Sequence, residues 1–533
     1  MHHEVRIQTI VTYYGSKLGE RKTKKDAREM QLIWEQYFEA RLKQEIRQRQ
    51  ELEAEQQRMV AQLEAERQAQ AQRLTDITEF LQELGQHFQA ESWHRSRSQE
   101  TPDLWTRQIE SSFVAPKEAT PTKGLWLSPV DLATTRGHTT LVFFYPSGAA
   151  FFDAARLKEA MAKALVAFYP LAGRLGFHND GRLEISCNGE GVLFVVARSC
   201  LVAQDFDFSK PSLELRRVFV PRIEPPSLIM AIQVTFFKCG GVALGVAGHH
   251  AAVDGISMFD FMKTWSAFSR DGDGAAIELP CHDRTLLRAR SPPVVHPDAL
   301  SVLHPKVTLS QSSSRPNATE VFPISRDQLV TLKRLCGGAS TFCSVSALVW
   351  KCAGIARRLP PDTIARLSFP VNVRRRGVLK PPLPARYFGN ALVSLCVAGA
   401  ARDIASEALA SVAARINGAL ARMDDDLVRS AIDYLELADK DIRPQRGSLP
   451  ETELRIVSWL SLPGHDADFG CGAPQVMSRA ESVRGGFVHI MNDAPENHRG
   501  GSAVRVLVCM EATNMKEFQR QLYANIAKQA SKL

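Results

Sequence analysis

Long apolar runs are missing from this 533-residue chain. None approaches the roughly 18 residues that a membrane-spanning helix requires. The first twenty residues also lack the apolar core of a secretory signal, so a cytoplasmic protein with no membrane partner is expected. The ten cysteines are scattered and include no Cys-x-x-Cys pair. Several lie in apolar surroundings, such as Cys396 in ALVSLCVAG and Cys509 in VLVCMEA, as buried reduced thiols do; neither a disulfide framework nor a metal site is expected. A strong charge of one sign is absent as well. The 66 Lys+Arg against 58 Asp+Glu leave +8, too mild over this length to indicate nucleic acid. Also missing are a Gly-x-Ser-x-Gly elbow, a phosphate loop, a His-Glu-x-x-His site and a dinucleotide glycine fingerprint. No bound cofactor is therefore expected.

Glycine and proline are absent from residues 20–84, and residues 31–89 hold 14 glutamines. RLKQEIRQRQELEAEQQRMVAQLEAERQAQAQRL is built of strong helix formers. Met59, Leu63, Ile77, Leu81 and Leu84 recur at spacings of three and four, but Glu66 and Gln70 interrupt the seam. Residues 1–108 thus read as a helical, coiled-coil-like extension, either a solvated helix or one that pairs with a partner. With 17 basic and 18 acidic side chains this extension carries −1, which leaves +9 on the remainder.

From Ile109 onward short apolar runs alternate with helical stretches. TTLVFFY (139–145), RLEISC (182–187), AIQVTFF (231–237) and VALGVAG (242–248) read as strands. The segment from Asp153 reads as an amphipathic helix with Leu157, Met161, Leu165 and Phe168 on one face and Asp153 as its N-cap. TFCSVSALVWKCAGIAR (341–357) is a further helix and RVLVCMEA (505–512) a further strand. Interleaving of this kind predicts a mixed α/β (α+β) class. The proline-rich, aperiodic stretch around 291–310 reads as a crossover between two lobes, 109–290 and 311–533.

The sharpest local feature is GVALGVAGHHAAVDGISMFDF at 241–261. A histidine at the end of a buried strand is held rigidly, and an imidazole with an ordinary pKa near 6.5 suits general-base work at neutral pH. Asp254 follows His250 by four residues. Its carboxylate either pairs with the imidazole or braces the turn through an arginine.

HHAAVDG, with FYPLAGRL at 168–175, VNVRRR…PPLPARYFGN at 371–390 and DADFGCG at 466–472, resembles the plant BAHD acyltransferases, and among them the hydroxycinnamoyl-CoA transferases. The likeness runs from Ile109 to Leu533. It implies two lobes resembling chloramphenicol acetyltransferase, with acyl-CoA as co-substrate entering from one side of a channel and an amine or hydroxyl acceptor from the other. It implies that His250 is the general base, that Asp254 supports the motif by pointing to an arginine (Arg374 or Arg376), and that His249 faces away. No acyl-enzyme is needed, which agrees with the lack of an activated nucleophile. Asp468, Phe469, Gly470, Cys471 and Gly472 match the family's DFGWG motif, with Cys471 in place of the tryptophan. The resemblance implies that this tryptophan borders the reacting carbonyl, where one lost oxyanion donor costs about 2.7–4 kcal/mol.

Shikimate-type members carry Thr-x-Ser-x-Tyr on an early strand. Here Thr139, Leu141 and Phe143 occupy those places, so two polar handles of the channel are gone and a more apolar acceptor, such as an aromatic amine, fits better. Two other readings stay open: a peptide-condensation domain, which shares HHxxxDG, and a weakly active or non-catalytic interaction protein acting through its helical extension. The catalytic lobes are expected to be monomeric.

Overall fold

The computed structural model of the chain describes residues 106–530, except 135–136, 147–149, 180, 304–314, 376, 439–446 and 493–501. The helical, coiled-coil-like extension at 1–108 lies outside the described residues up to 105.

Fifteen strands are described: β1 (Thr106–Val114), β2 (Leu125–Trp126), β3 (His138–Tyr145), β4 (Arg174–Phe177), β5 (Leu183–Ser186), β6 (Val192–Ser199), β7 (Met230–Phe236), β8 (Val242–His249), β9 (Asn317–Ser325), β10 (Ile364–Asn372), β11 (Leu392–Ala400), β12 (Glu453–Ser458), β13 (Val476–Arg479), β14 (Phe487–Asn492) and β15 (Ser502–Glu511). The helices of ten or more residues are α1 (Ala154–Ala167), α2 (Gly255–Asp271), α3 (Arg326–Leu335), α4 (Thr341–Arg357), α5 (Leu409–Ala421), α6 (Asp425–Leu437) and α7 (Ala512–Ala530).

The strands form two six-stranded sheets, β1-β6-β7-β8-β3-β13 and β11-β10-β12-β14-β15-β9, and a small sheet β2-β5-β4. This is the mixed α/β class the alternating runs predict. The strands and helices read from the sequence appear within a few residues, the largest difference being β15, which starts at Ser502. β1 begins three residues before Ile109.

Several of the long helices start on a side-chain cap. Asp153 accepts from the Arg156 N–H at 2.8 Å, Asp254 from Ser257 at 3.0 Å and Ser340 from Cys343 at 3.2 Å, each satisfying an otherwise orphaned donor. α2 buries Met258, Phe259, Phe261, Met262 and Trp265, and the Trp265 indole N–H donates to the Leu157 carbonyl of α1 at 2.9 Å. β8 needs Gly245, because a Cβ there would lie 1.7 Å from the Phe219 carbonyl oxygen.

Sheet alternation sets where the second sheet looks. Ile456, Val488, Ile490, Val506 and Val508 enter the core beneath α4. Val457, Trp459, Met491 and Leu507 face the other way, onto the cluster of the first lobe. His489 pairs with Val457 and Leu507 in register and so shares their inter-lobe face.

The lobes exchange chain. β13 lies after the second sheet's β12 in sequence, yet it pairs with β3 at the edge of the first sheet. Residues 476–479 thus belong by contact to the first lobe, although they fall within the stretch 311–533 expected to form the second. The crossover is tied down at its start, where the Arg290 Nε donates to Asp433 at 2.7 Å and the Val294 N–H to the same carboxylate at 2.8 Å.

Candidate active site

His250 directly follows β8. Its N–H donates to the Gly137 carbonyl at 2.9 Å, and its own carbonyl accepts from Asn390 Nδ2 at 2.8 Å. The imidazole lies deep in the molecule yet keeps partial solvent access, as befits the wall of an internal channel. Nδ1 is shielded from solvent and has no hydrogen-bond partner among the described residues. The residue's own backbone and the Asn390 side chain stand beside the ring and act to raise its pKa. Burial pushes the imidazole below its ordinary 6.5 and the Arg479 charge acts the same way, against the opposing pull of Asp254. The ring is therefore neutral, the form a base requires.

His249 points to the opposite face. Its ring meets His138 edge-on at 4.9 Å, and its Nδ1 accepts from the Ala251 N–H at 3.2 Å.

Asp254 is not paired with the imidazole. Arg374 Nη1 donates to it at 2.7 Å and Nη2 at 3.2 Å, while the N–H groups of Ser257 and Ala391 supply two further donors at 3.0 and 3.1 Å. Burial alone would raise this carboxyl, but Arg374 and the N–H donors outweigh it and hold it below the usual range. Arg374 also donates to the carbonyls of Tyr387 at 3.0 Å and Gly389 at 2.8 Å. Of the two candidate arginines the partner is thus Arg374, and Arg376 lies outside the described residues. Used in this way, Arg374 is not available to phosphate.

A second polar knot braces the same segment. Asp131 meets Arg284 Nη1 at 2.9 Å, both side chains being fully buried. It also accepts from the Asn390 N–H at 2.9 Å and Nδ2 at 3.0 Å. Arg284 Nη2 in turn donates to the Ala252 carbonyl at 2.6 Å. None of these three residues stands out by spacing. The available signal was polar side chains inside the apolar runs SPVDLA and YFGNA.

The three expected channel residues share one face of β3. Thr139 pairs with Gly248, one step from His249, and is partly exposed. Leu141 and Phe143 are 3% and 0% exposed and pack in the first-lobe core.

The Asp468–Gly472 loop sits away from His250. Asp468 Oδ1 accepts from the N–H groups of Gly470 and Gly472, each at 2.8 Å. Those two glycines have φ of 108° and 86°, which side chains rarely adopt. Phe469 packs on Trp265 and Phe152 at 4.8 and 5.0 Å. Arg270, in the last turn of α2, donates to the Asp468 carbonyl at 3.1 Å, whereas His250 precedes the first turn of α2. Fifteen residues of helix span about 22 Å. Tyr145, which donates to the Ala467 carbonyl at 2.7 Å, is six residues along β3 from Thr139, about 20 Å. Both rulers put Cys471 at the far end of the sheet. Its thiol is pushed up by burial and by Asp468. The loop clamps the lobes at that end.

Arg479 on β13, and His489 and Trp459 on the second sheet, were not singled out by spacing. The Arg479 charge acts on both His250 and His489, and Trp459 meets the His489 ring edge-on at 5.5 Å. His489 and Trp459 thus stand on the inter-lobe face of the second lobe. Among the described residues no helix is long and apolar enough to cross a membrane, and no group of three or more His, Cys, Asp or Glu side chains is placed to hold a metal ion.

Comparison with known proteins agrees with this arrangement. The chain is 41% identical over 446 residues to putrescine hydroxycinnamoyltransferase 1 of Oryza sativa subsp. japonica, covering 78% of this chain and 98% of that one. It is 40% identical over 438 residues to shikimate O-hydroxycinnamoyltransferase of Nicotiana tabacum, with the same coverage. Hydroxycinnamoyl-CoA:5-hydroxyanthranilate N-hydroxycinnamoyltransferase HHT4 of Avena sativa is 38% identical over 449 residues, again with that coverage. In fold the chain is similar to vinorine synthase, with a TM-score of 0.61 and 23% identity over 77% of this chain and 96% of that one. It is likewise similar to F. graminearum TRI101 complexed with coenzyme A and T-2 mycotoxin, with a TM-score of 0.61 and 16% identity over 75% and 97%. A model of the Transferase family matches residues 106–525. The chain belongs to that family, the BAHD acyltransferases, and is an acyltransferase.

Proposed function

We propose that the chain moves a hydroxycinnamoyl or related aromatic acyl group from CoA to an amine or hydroxyl acceptor, with His250 as general base. The observation that carries this reading is the placement of His250: neutral, and fixed through its backbone by Gly137 and Asn390 while both neighbouring carboxylates are spent on arginines. The acceptor's O–H or N–H proton passes to Nε2 as its lone pair attacks the thioester carbonyl. The tetrahedral intermediate then expels the CoA thiolate, which recovers the proton from the imidazolium. No acyl-enzyme forms and no metal or resident cofactor takes part. The reading extends to a cytoplasmic protein whose transferase lobes act as a monomer, with residues 1–108 serving any association. Curated relatives named for putrescine, shikimate and 5-hydroxyanthranilate acceptors support the amine-or-hydroxyl class.

Full-length protein incubated with p-coumaroyl-CoA and a panel of amines and alcohols tests the proposal. Acceptor-dependent release of free CoA is expected. A protein that binds p-coumaroyl-CoA but releases no CoA with any acceptor refutes it.

A further inference from the structure

Two buried carboxylates brace the turn that carries His250, and they reach it differently. Asp254 spends its oxygens on Arg374 and on the N–H groups of Ser257 and Ala391. Among the described residues none of these three bonds residue 250. Asp131 reaches the base through one side chain. Asn390 Nδ2 donates to Asp131 Oδ1 at 3.0 Å and to the His250 carbonyl at 2.8 Å, so a single nitrogen joins carboxylate and base. A second arm leaves the same carboxylate: Arg284 stands 2.9 Å from it and donates to the Ala252 carbonyl at 2.6 Å.

The network is sealed and its geometry is fully determined. Asp131 and Asn390 are 0% exposed, and the Ser128 N–H and hydroxyl complete the carboxylate at 2.9 and 2.7 Å. Both groups that face the Asn390 NH₂ are acceptors. Turned over, the amide would set its oxygen against a carboxylate and a carbonyl, so only one orientation is favourable. The Asn390 N–H donates to Asp131 as well, at 2.9 Å, which pins the residue at backbone and side chain alike.

The link also crosses between lobes. Asp131 and His250 belong to the first lobe, whereas Asn390 lies in the second, two residues before β11. The base is thus held from its own lobe by the Gly137 carbonyl and from the other lobe by an amide that Asp131 orients.

Accepting the transferase reading above, we infer that Asp131 and Asn390 are positioning residues for the reaction: the carboxylate fixes the Asn390 amide, and the amide fixes the His250 backbone, so that the base is in place only when the lobes are docked. Both side chains are closed off from solvent, so they act through His250 and not on a substrate. Loss of the link should therefore show in kcat and leave substrate affinity alone.

Asn390→Leu provides the test, because it keeps the side chain's shape, removes its donors and leaves the Asp131–Arg284 pair in place. Asn390→Ala serves where the apolar isostere does not fold, with far-UV circular dichroism as the check. With p-coumaroyl-CoA and the best acceptor of the panel, kcat is expected to fall about 10- to 100-fold, the scale of a misplacement of about 1 Å. KM for both substrates should stay within about three-fold of wild type. Asp131→Ala should also lower kcat, and Asp131→Ala/Asn390→Leu should be no slower than the slower single variant, since the two act in series. A crystal structure of the Asn390 variant gives a readout independent of turnover: His250 should move by more than about 0.5 Å, the tolerance of a catalytic constellation. A displaced His250 in a protein whose wild type releases no CoA supports the positioning and refutes the transferase reading. An unmoved His250 overturns the inference. So does a kcat within about two-fold of wild type, a KM that rises as far as kcat falls, or full additivity in the double variant.

Discussion

Replacing Asp254 by Asn removes one charge from a pair in which the two side chains are 0% and 5% exposed. Water cannot replace the lost partner, and breaking a buried pair from one side costs about 3–5 kcal/mol. Arg374 keeps the carbonyls of Tyr387 and Gly389, and Asn remains a good helix N-cap, so the lower end, about 3 kcal/mol, is expected. The amide must also turn its NH₂ towards at least one of the four donors that now converge on the carboxylate. The damage should spread into catalysis, because the turn from His249 to Asp254 carries the base; a drop in kcat of more than about 10-fold is expected, since small misplacements of reacting groups are expensive. Urea unfolding followed by fluorescence, with acyl transfer measured on the same samples, reads both effects. The Asp254→Asn/Arg374→Met double variant should be less destabilised than the sum of the single changes by about 2 kcal/mol, within the range seen for contacting residues. Stability of Asp254→Asn within about 0.5 kcal/mol of wild type, or strict additivity in the cycle, would refute the view that this pair holds the motif.

Restoring tryptophan by Cys471→Trp should change kcat less than about two-fold, because some 20 Å separates the loop from His250; steady-state kinetics with one acceptor suffice. Stability should fall on acidification between pH 6.5 and about 4. Burial holds His138 and His282 down to about 4, whereas an unfolded chain protonates them near 6.5, so the unfolded state binds the extra protons and gains as pH falls. At pH 5.5 each histidine accounts for up to about 1.4 kcal/mol, and unfolding of His138→Gln and His282→Gln at pH 7.5 and 5.5 should show a shallower slope. The acid limb of kcat/KM should lie below pH 6.5, since burial lowers His250 in the same direction.

Much of this was legible in the chain. Caps at Asp153, Asp254 and Ser340 and the apolar strand runs mark their elements locally, and the turn from His249 to Asp254 lies within six residues. What was not legible depends on distant contacts. Asp131 meets Asn390 across 259 residues, and β13 crosses to the first sheet. TTLVFFY is apolar on both faces, so its pattern could not show which residues are buried; Leu141 and Phe143 lie in the first-lobe cluster. The motif containing Cys471 carries no distance; only the length of α2 shows that it sits at the opposite end from the base. Arg479 gave no signal because its surroundings are set by the pairing of β13 with β3, more than 300 residues apart in the chain.

The central claim is that His250 takes the acceptor's proton, and the measurement that addresses it most directly is the rate of CoA release by His250→Gln beside wild type. Both should be saturated with p-coumaroyl-CoA and supplied with the best acceptor from the panel. A fall of about 10²–10⁴-fold in kcat with p-coumaroyl-CoA binding retained is predicted, the usual worth of a general base. A variant that turns over within two-fold of wild type would contradict the account.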